Sequence, residues 1–235
     1  MKIAIITAGG VGSRMKLEVP KQFHEINGKP IIVYSLEVFN NCSEIDYICV
    51  VFLEGYKQQF ENYITKYRLN KIKWLVPGGA TNQMSIWNAI DYLKKNGGVH
   101  DDDIILVHDG IRPLVSNEII KDCIQVCEKN GNAVAITPCN EAMVISKTGT
   151  SSTESIDRSL IWKTQTPHAM HLKDMHELIS STINRGVTNS VAVCTMLIES
   201  GKPIYFSKGN NLNFKLTTPE DIDLFIGILK AQGRF

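Results

Sequence analysis

The sequence predicts a three-layer α/β/α fold, a mainly parallel sheet covered by helices on both faces, and three observations lead there. Short β-branched runs alternate with helix-period segments along most of the chain. The first run stops at a glycine-rich turn, Ala8-Gly9-Gly10. A length of 235 residues at 43% hydrophobic and 21% charged suits one large domain with a substantial core. Parallel neighbours need crossovers, and helices are the usual ones.

Taken in order, the strand runs fall at residues 3–7, 47–52, 72–76, 104–107, 133–137 and 204–207. Apolar residues at helical spacing predict helices at 31–39, 56–67, 84–93, 118–129, 173–183, 191–199 and 220–229. Two helix starts carry visible capping chemistry. Ser116 precedes one; Thr218-Pro219-Glu220-Asp221 opens the last with a capping hydroxyl, a first-turn proline and two acids. Alternation breaks over residues 140–166, where the polar turn at 148–153 separates extended pieces at 142–146 and 154–156. This segment reads as a projecting β-arm inserted within a single domain, 1–235.

Charge and composition remove several function classes. Lys plus Arg (25) against Asp plus Glu (24) leaves a net charge of +1, and no basic stripe interleaved with aromatics is present, which argues against a nucleic-acid module. No apolar run reaches the 18 or so residues that span a bilayer, so no membrane role and a cytoplasmic location are expected. The six cysteines, Cys42, Cys49, Cys123, Cys127, Cys139 and Cys194, form no CxxC and read as reduced, buried small hydrophobes. Cys123 and Cys127 share a helix face at i, i+4, but two soft ligands without a histidine pair make a poor zinc site.

In open α/β sheets ligands sit beyond the carboxyl ends of the strands. Here the first such turn is Thr7-Ala8-Gly9-Gly10-Val11-Gly12-Ser13-Arg14-Met15. Its glycines allow backbone N–H groups to approach phosphate oxygens closely. It is neither a Walker A nor a clean GxGxxG, which argues against hydride transfer. Arg14 and Lys21 follow, seven residues apart across a loop stiffened by Pro20. They are suited to charge developing on a departing pyrophosphate, although a solvated charged loop has the same composition.

At this point the residues resemble a known family, the cytidylyltransferases that make CDP-linked sugar alcohols, including the 2-C-methyl-erythritol 4-phosphate and ribitol 5-phosphate enzymes. The resemblance is carried by Ala8-Gly9-Gly10-Val11-Gly12-Ser13-Arg14-Met15 with Pro20-Lys21-Gln22-Phe23, by Gly78-Gly79 and Ser85, and by His108-Asp109-Gly110-Ile111-Arg112-Pro113. It continues through Arg158 with Gln165-Thr166-Pro167 and the stretch from Asn213 to Asp221. The glycine turn is closer to the ribitol branch. The resemblance implies a Rossmann-like nucleotidyltransferase fold and transfer of CMP from CTP to a polyol phosphate, with release of pyrophosphate. It implies catalytic roles for Arg14 and Lys21, nucleotide binding by Ala8, Gly9, Gly10, Gly12, Arg14, Lys21, Gly78, Gly79, Ala80, Ser85 and Asp109, and Asp109 also as a ligand of Mg2+. Arg112, Arg158 and Lys215 would bind the acceptor, Arg158 across a homodimer formed through the arm. A cell-surface polymer is the product's implied destination.

The chain departs from the family pattern mainly on the acceptor side. Asn140-Glu141-Ala142 stands where an Asp-Thr pair is usual, and Thr81-Asn82-Gln83 where an arginine is usual. Thr188-Asn189-Ser190 replaces a Thr-Asp-Asp type segment, and His168 replaces a glutamine. Since a lost substrate-binding hydroxyl or carboxylate discriminates strongly between acceptors, the acceptor is expected to be ribitol 5-phosphate or a related phosphate. Methyl-erythritol phosphate, another nucleotide donor and a silent nucleotide-binding homologue are the alternatives.

Overall fold

In the computed structural model, residues 1–10 and 19–235 are described. Arg14 and Gly12 therefore lie outside the described residues. In chain order the elements are β1 (Lys2–Ala8), the short strands β2 (Glu25–Ile26) and β3 (Lys29–Pro30), α1 (Ile31–Asn41), β4 (Tyr47–Phe52), α2 (Lys57–Tyr67), β5 (Ile72–Pro77) and α3 (Asn82–Asn96). The second half continues with β6 (Ile104–Asp109), α4 (Asn117–Asn130), β7 (Asn132–Pro138), β8 (Met143–Ile145), β9 (Glu154–Ile156), β10 (Trp162–His171), α5 (Leu172–Asn184), α6 (Val193–Glu199), β11 (Phe206–Lys208) and α7 (Pro219–Ala231).

Seven strands form one sheet in the order β11-β7-β10-β6-β1-β4-β5. β1 pairs in parallel with β4 on one side and β6 on the other, so strand order reverses at β1, the point of an open α/β sheet beyond whose carboxyl strand ends ligands bind. Period-2 alternation on β1 divides the core. Ile3 and Ile5 pack with α3, α5 and α6, whereas Ala4, Ile6 and Ala8 pack with α1, α2 and α4. The predicted helix starts hold: Ser116 accepts from the Ile119 N–H at 3.4 Å, and the Asp221 carboxylate accepts from the Thr218 N–H at 2.8 Å. All six cysteines are buried and unbridged.

Three features differ from the sequence reading. β10, which was assigned partly to the arm and partly to no element, runs antiparallel between β6 and β7. The arm's return boundary therefore lies before Trp162 rather than at 166, and the projecting hairpin is β8 paired with β9. β6 extends through Asp109, so this residue ends the strand instead of following it. A small β2–β3 hairpin turns at Asn27 and Gly28, both at positive φ, as an Asn-Gly turn allows.

Gly110 follows β6 where the chain has no room for a side chain. A Cβ there would lie 2.2 Å from Ile32 Cδ1 and 2.9 Å from the Thr7 carbonyl oxygen. Gly110→Ala should cost about 1–3 kcal/mol, since neither strand nor helix can retreat cheaply. A urea denaturation midpoint equal to that of the unsubstituted protein would contradict this packing.

Candidate active site

The turn after β1 is fixed by a glutamine. Gln22, 2% exposed, donates from Nε2 to the carbonyl oxygens of Ala8 at 2.8 Å and Gly10 at 2.9 Å. Within a planar trans peptide the N–H points opposite the carbonyl, so the Gly9 N–H is turned away from Gln22. Gln22 sits in a one-turn 3-10 segment, Lys21–Phe23, closed by the Phe23 N–H on the Pro20 carbonyl at 2.9 Å, and Phe23 stacks on Tyr56 at 4.5 Å. The buried Lys21 is thereby held between a stiff proline and a residue bonded to the glycine turn.

The second glycine pair abuts the first. A Cβ on Gly78 would fall 3.5 Å from Gly9 Cα and 3.2 Å from both Ser85 Oγ and the Phe52 carbonyl oxygen, so the two turns lie within van der Waals reach of each other. Ser85 Oγ accepts from the Gly79 N–H at 3.0 Å, and Thr81 caps α3 by accepting from the Met84 N–H at 3.1 Å. Residues 78–85 are thus a preformed turn leading into a helix N-terminus; Ala80 lies exposed on it.

Three of the predicted charged residues meet at the end of β6. Asp109 Oδ2 accepts from Arg112 Nε at 3.0 Å, and Asp109 Oδ1 lies 3.2 Å from Lys215 Nζ. The Asp109 and Arg112 side chains are each 13% exposed. Lys215 arrives from a distant loop that is tied down at several points. The Leu216 N–H donates to the Ile111 carbonyl at 2.9 Å, Arg112 Nη1 to the Asn213 carbonyl at 2.8 Å, and Asn213 Nδ2 to the Thr166 carbonyl at 2.8 Å. A register shift between Thr164 and His168 in β10 frees Gln165 and Thr166 from regular pairing. Gln165 then brackets the Lys215 loop through Asn210, donating to its carbonyl at 2.8 Å and accepting from its N–H at 3.1 Å. Thr166 Oγ1 accepts from the Asp109 N–H at 3.0 Å and lies 3.1 Å from His108 Nδ1.

The electrostatics favour an anion. Burial pushes the Asp109 carboxyl up, but Lys215 and Arg112 outweigh it and hold the group down at about 2, ionised at neutral pH. One carboxylate against two cations leaves a surplus positive charge. Arg158 lies apart, donating from Nη1 to the Asn140 carbonyl at 3.2 Å at the base of the arm; it forms no ion pair with Asp109 among the described residues.

Behind the cluster, His108 and His168 are buried, and burial lowers them to about 3 and about 4 from an ordinary 6.5. Their folded-state values lie below the unfolded ones, so on acidification the unfolded chain takes up protons that the native chain refuses. Stability is fully present above pH 6.5 and should fall towards pH 4 by up to about 1.4 kcal/mol per pH unit for each histidine. Urea midpoints at pH 7 and pH 5 check this; equal midpoints would contradict it.

Five residues that support the site were given no role by the sequence: Gln22, Gln83, Gln165, Thr166 and Asn213. All but Gln83 lie inside the quoted motifs, so their positions were marked although their bonding was not.

The family model described as IspD: 2-C-methyl-D-erythritol 4-phosphate cytidylyltransferase matches residues 2–231. The chain belongs to this cytidylyltransferase family. Within it, the chain is 39% identical to a ribitol-5-phosphate cytidylyltransferase of Lacticaseibacillus paracasei over 99% of both chains. It is 35% identical to a 2-C-methyl-D-erythritol 4-phosphate cytidylyltransferase of Clostridium acetobutylicum, again over 99% of both. The fold agrees with the crystal structure of a 4-diphosphocytidyl-2C-methyl-D-erythritol synthase from Anaerococcus prevotii, at a TM-score of 0.82 and 21% identity over 98% of each chain. The Rossmann-like reading of the sheet and the family resemblance both stand.

Proposed function

We propose that this protein is a CTP-dependent cytidylyltransferase that transfers CMP to ribitol 5-phosphate or a closely related polyol phosphate. The observation that carries the reading is the Arg112–Asp109–Lys215 cluster, with its surplus positive charge, at the carboxyl end of β6 beside β1, where the strand order reverses. A phosphate oxygen of the acceptor attacks the α-phosphorus of CTP, the bond to the β-phosphate oxygen breaks, and pyrophosphate leaves with that electron pair. No covalent enzyme intermediate is needed. The chain's task is to hold two mutually repelling anions in line and to offset charge on the phosphates.

The triphosphate lies on the turn from Ala8 to Gly12, with Arg14 and Lys21 opposing the charge that develops on the leaving group. Gly78, Gly79, Ala80 and Ser85 hold cytidine through backbone groups. Arg112 and Lys215 take the acceptor's phosphate, their positions set by Asp109. Among the described residues no group of three or more metal-ligating side chains occurs. Both Asp109 oxygens face cations, so Asp109 would be the one protein ligand of a magnesium ion only if the ion arrives with the triphosphate and displaces Arg112 or Lys215 from an oxygen, its remaining ligands being phosphate oxygens and water. Bound there, the metal would neutralise phosphate charge.

A homodimer through the arm completes the site, bringing Arg158 to the neighbour's acceptor. The exposed apolar residues Val144, at 64%, and Leu160, at 74%, support a protein partner on this segment. The reaction is assigned to the cytoplasm, with the product feeding a cell-surface polysaccharide. Pyrophosphate release with ribitol 5-phosphate and each of CTP, UTP, ATP and GTP tests the donor. CTP should be preferred by at least about 100-fold, a contrast within reach of polar base recognition; equal rates with UTP would overturn the assignment.

A further inference from the structure

Gln83 is 1% exposed at the start of α3, too buried to serve as a ligand contact itself. Its amide spans both ends of an exposed strap between α5 and α6. Nε2 donates to the Val187 carbonyl at 2.7 Å, and Oε1 accepts from the Ser190 N–H at 2.7 Å. Thr81 Oγ1 adds a bond to the Thr188 carbonyl at 2.5 Å. Between these anchors Thr188 and Asn189 are exposed, while the Ser190 hydroxyl is buried with no hydrogen-bond partner among the described residues. An unpaired buried hydroxyl is costly, and a strap that completes its bonding on a polar ligand would carry one. On its other side the same helical turn carries Ser85, which fixes Gly79 next to Gly9. Val187 is also tied to α5 by its N–H on the Thr182 carbonyl at 3.1 Å, but the glutamine is the side chain that bonds both ends of the strap from the turn beside the two glycine pairs.

We infer that Gln83 is a positioning residue that couples the nucleotide turn 78–85 to the strap 187–190, so that CTP binding orders the strap for the alcohol phosphate. The inference rests on the cytidylyltransferase reading for the identity of the two ligands. Coupling of this kind is reciprocal, so the alcohol phosphate must tighten CTP binding by the same factor. Gln83→Met keeps the volume and removes both bonds, whereas Gln83→Asn is one methylene too short to reach both ends.

Hydrogen exchange of residues 187–190 with and without CTP, together with steady-state kinetics, tests this. In the unsubstituted protein CTP should slow exchange at the strap. In either variant the strap should exchange about tenfold faster and no longer respond to CTP. The KM for ribitol 5-phosphate should rise about tenfold, while the CTP dissociation constant moves by less than about threefold. Strap exchange that still responds to CTP in both variants would overturn the coupling, as would an equal loss of CTP affinity. Should the unsubstituted protein release no pyrophosphate yet bind CTP, the transferase reading fails, and the exchange data still decide the coupling.

Discussion

Lys21→Ala should lower kcat by about 100- to 1,000-fold while weakening CTP binding by less than about tenfold. The first figure is the usual cost of removing one preorganised group that meets charge in the transition state. The second follows because, on the proposed reading, the other groups assigned to CTP are still present in the ground state. The backbone of this segment keeps its own bonds. Pro20 sets the approach, the Phe23 N–H closes the turn, and Gln22 stays bonded to Ala8 and Gly10, none of it through the lysine side chain. Isothermal titration with CTP and a pyrophosphate assay separate the two effects. Unchanged turnover would remove Lys21 from the mechanism.

Asp109→Asn should have an effect of similar size but a different signature. The carboxylate takes Arg112 on one oxygen and Lys215 on the other, and an amide can accept on one side only. Its NH2 would then face a cation, and two cations drawn from separate segments would lose their common counter-charge in a largely buried place. The expected result is a fall of about 100-fold or more in kcat/KM for the alcohol phosphate, with CTP binding weakened as well because the proposed magnesium ion loses its one protein ligand. Because Asp109 is held at about 2, the unsubstituted enzyme should show no titration of this group above pH 4. An Asp109→Asn enzyme of full activity would contradict the arrangement of the acceptor side.

Much of the framework was legible in the sequence because its signals are local. β-branched runs end at glycine turns, helix starts carry their caps, and Asp109, Arg112 and Lys215 sit in motifs dense enough to be recognised. β10 was not legible. Its central stretch, Gln165-Thr166-Pro167-His168, is polar and contains a proline, which normally argues against a strand within a sheet. The structure accommodates that proline at the register shift, where no regular ladder hydrogen bond is needed, and uses the irregularity to aim Gln165 and Thr166 at the site. The bracing amides were hidden for a related reason. Nothing in the sequence around Gln83 or Gln165 indicates that the partners lie 104 and 45 residues away. Only the folded chain brings donor and acceptor together. The Asn27-Gly28 turn, in contrast, is a local hairpin signal, since both residues adopt the positive φ that such a turn requires.

The departures from the family pattern also look different in three dimensions. Gln83, within the segment that lacks the usual arginine, is a buried brace. Its partner segment is the altered Thr188-Asn189-Ser190 stretch. Two deviations that were independent in the sequence are therefore one structural unit, next to the nucleotide turn. The family's glycine pairs and Lys21 are kept, and two of the altered segments meet in this one braced unit.

The most direct test of the central claim is a competition between alcohol phosphates at fixed CTP, measured as kcat/KM from pyrophosphate release. The account predicts that ribitol 5-phosphate, or a related straight-chain polyol phosphate, is favoured over 2-C-methyl-erythritol 4-phosphate by at least about tenfold. Preference for methyl-erythritol phosphate, or no pyrophosphate from any acceptor in the panel, would contradict it.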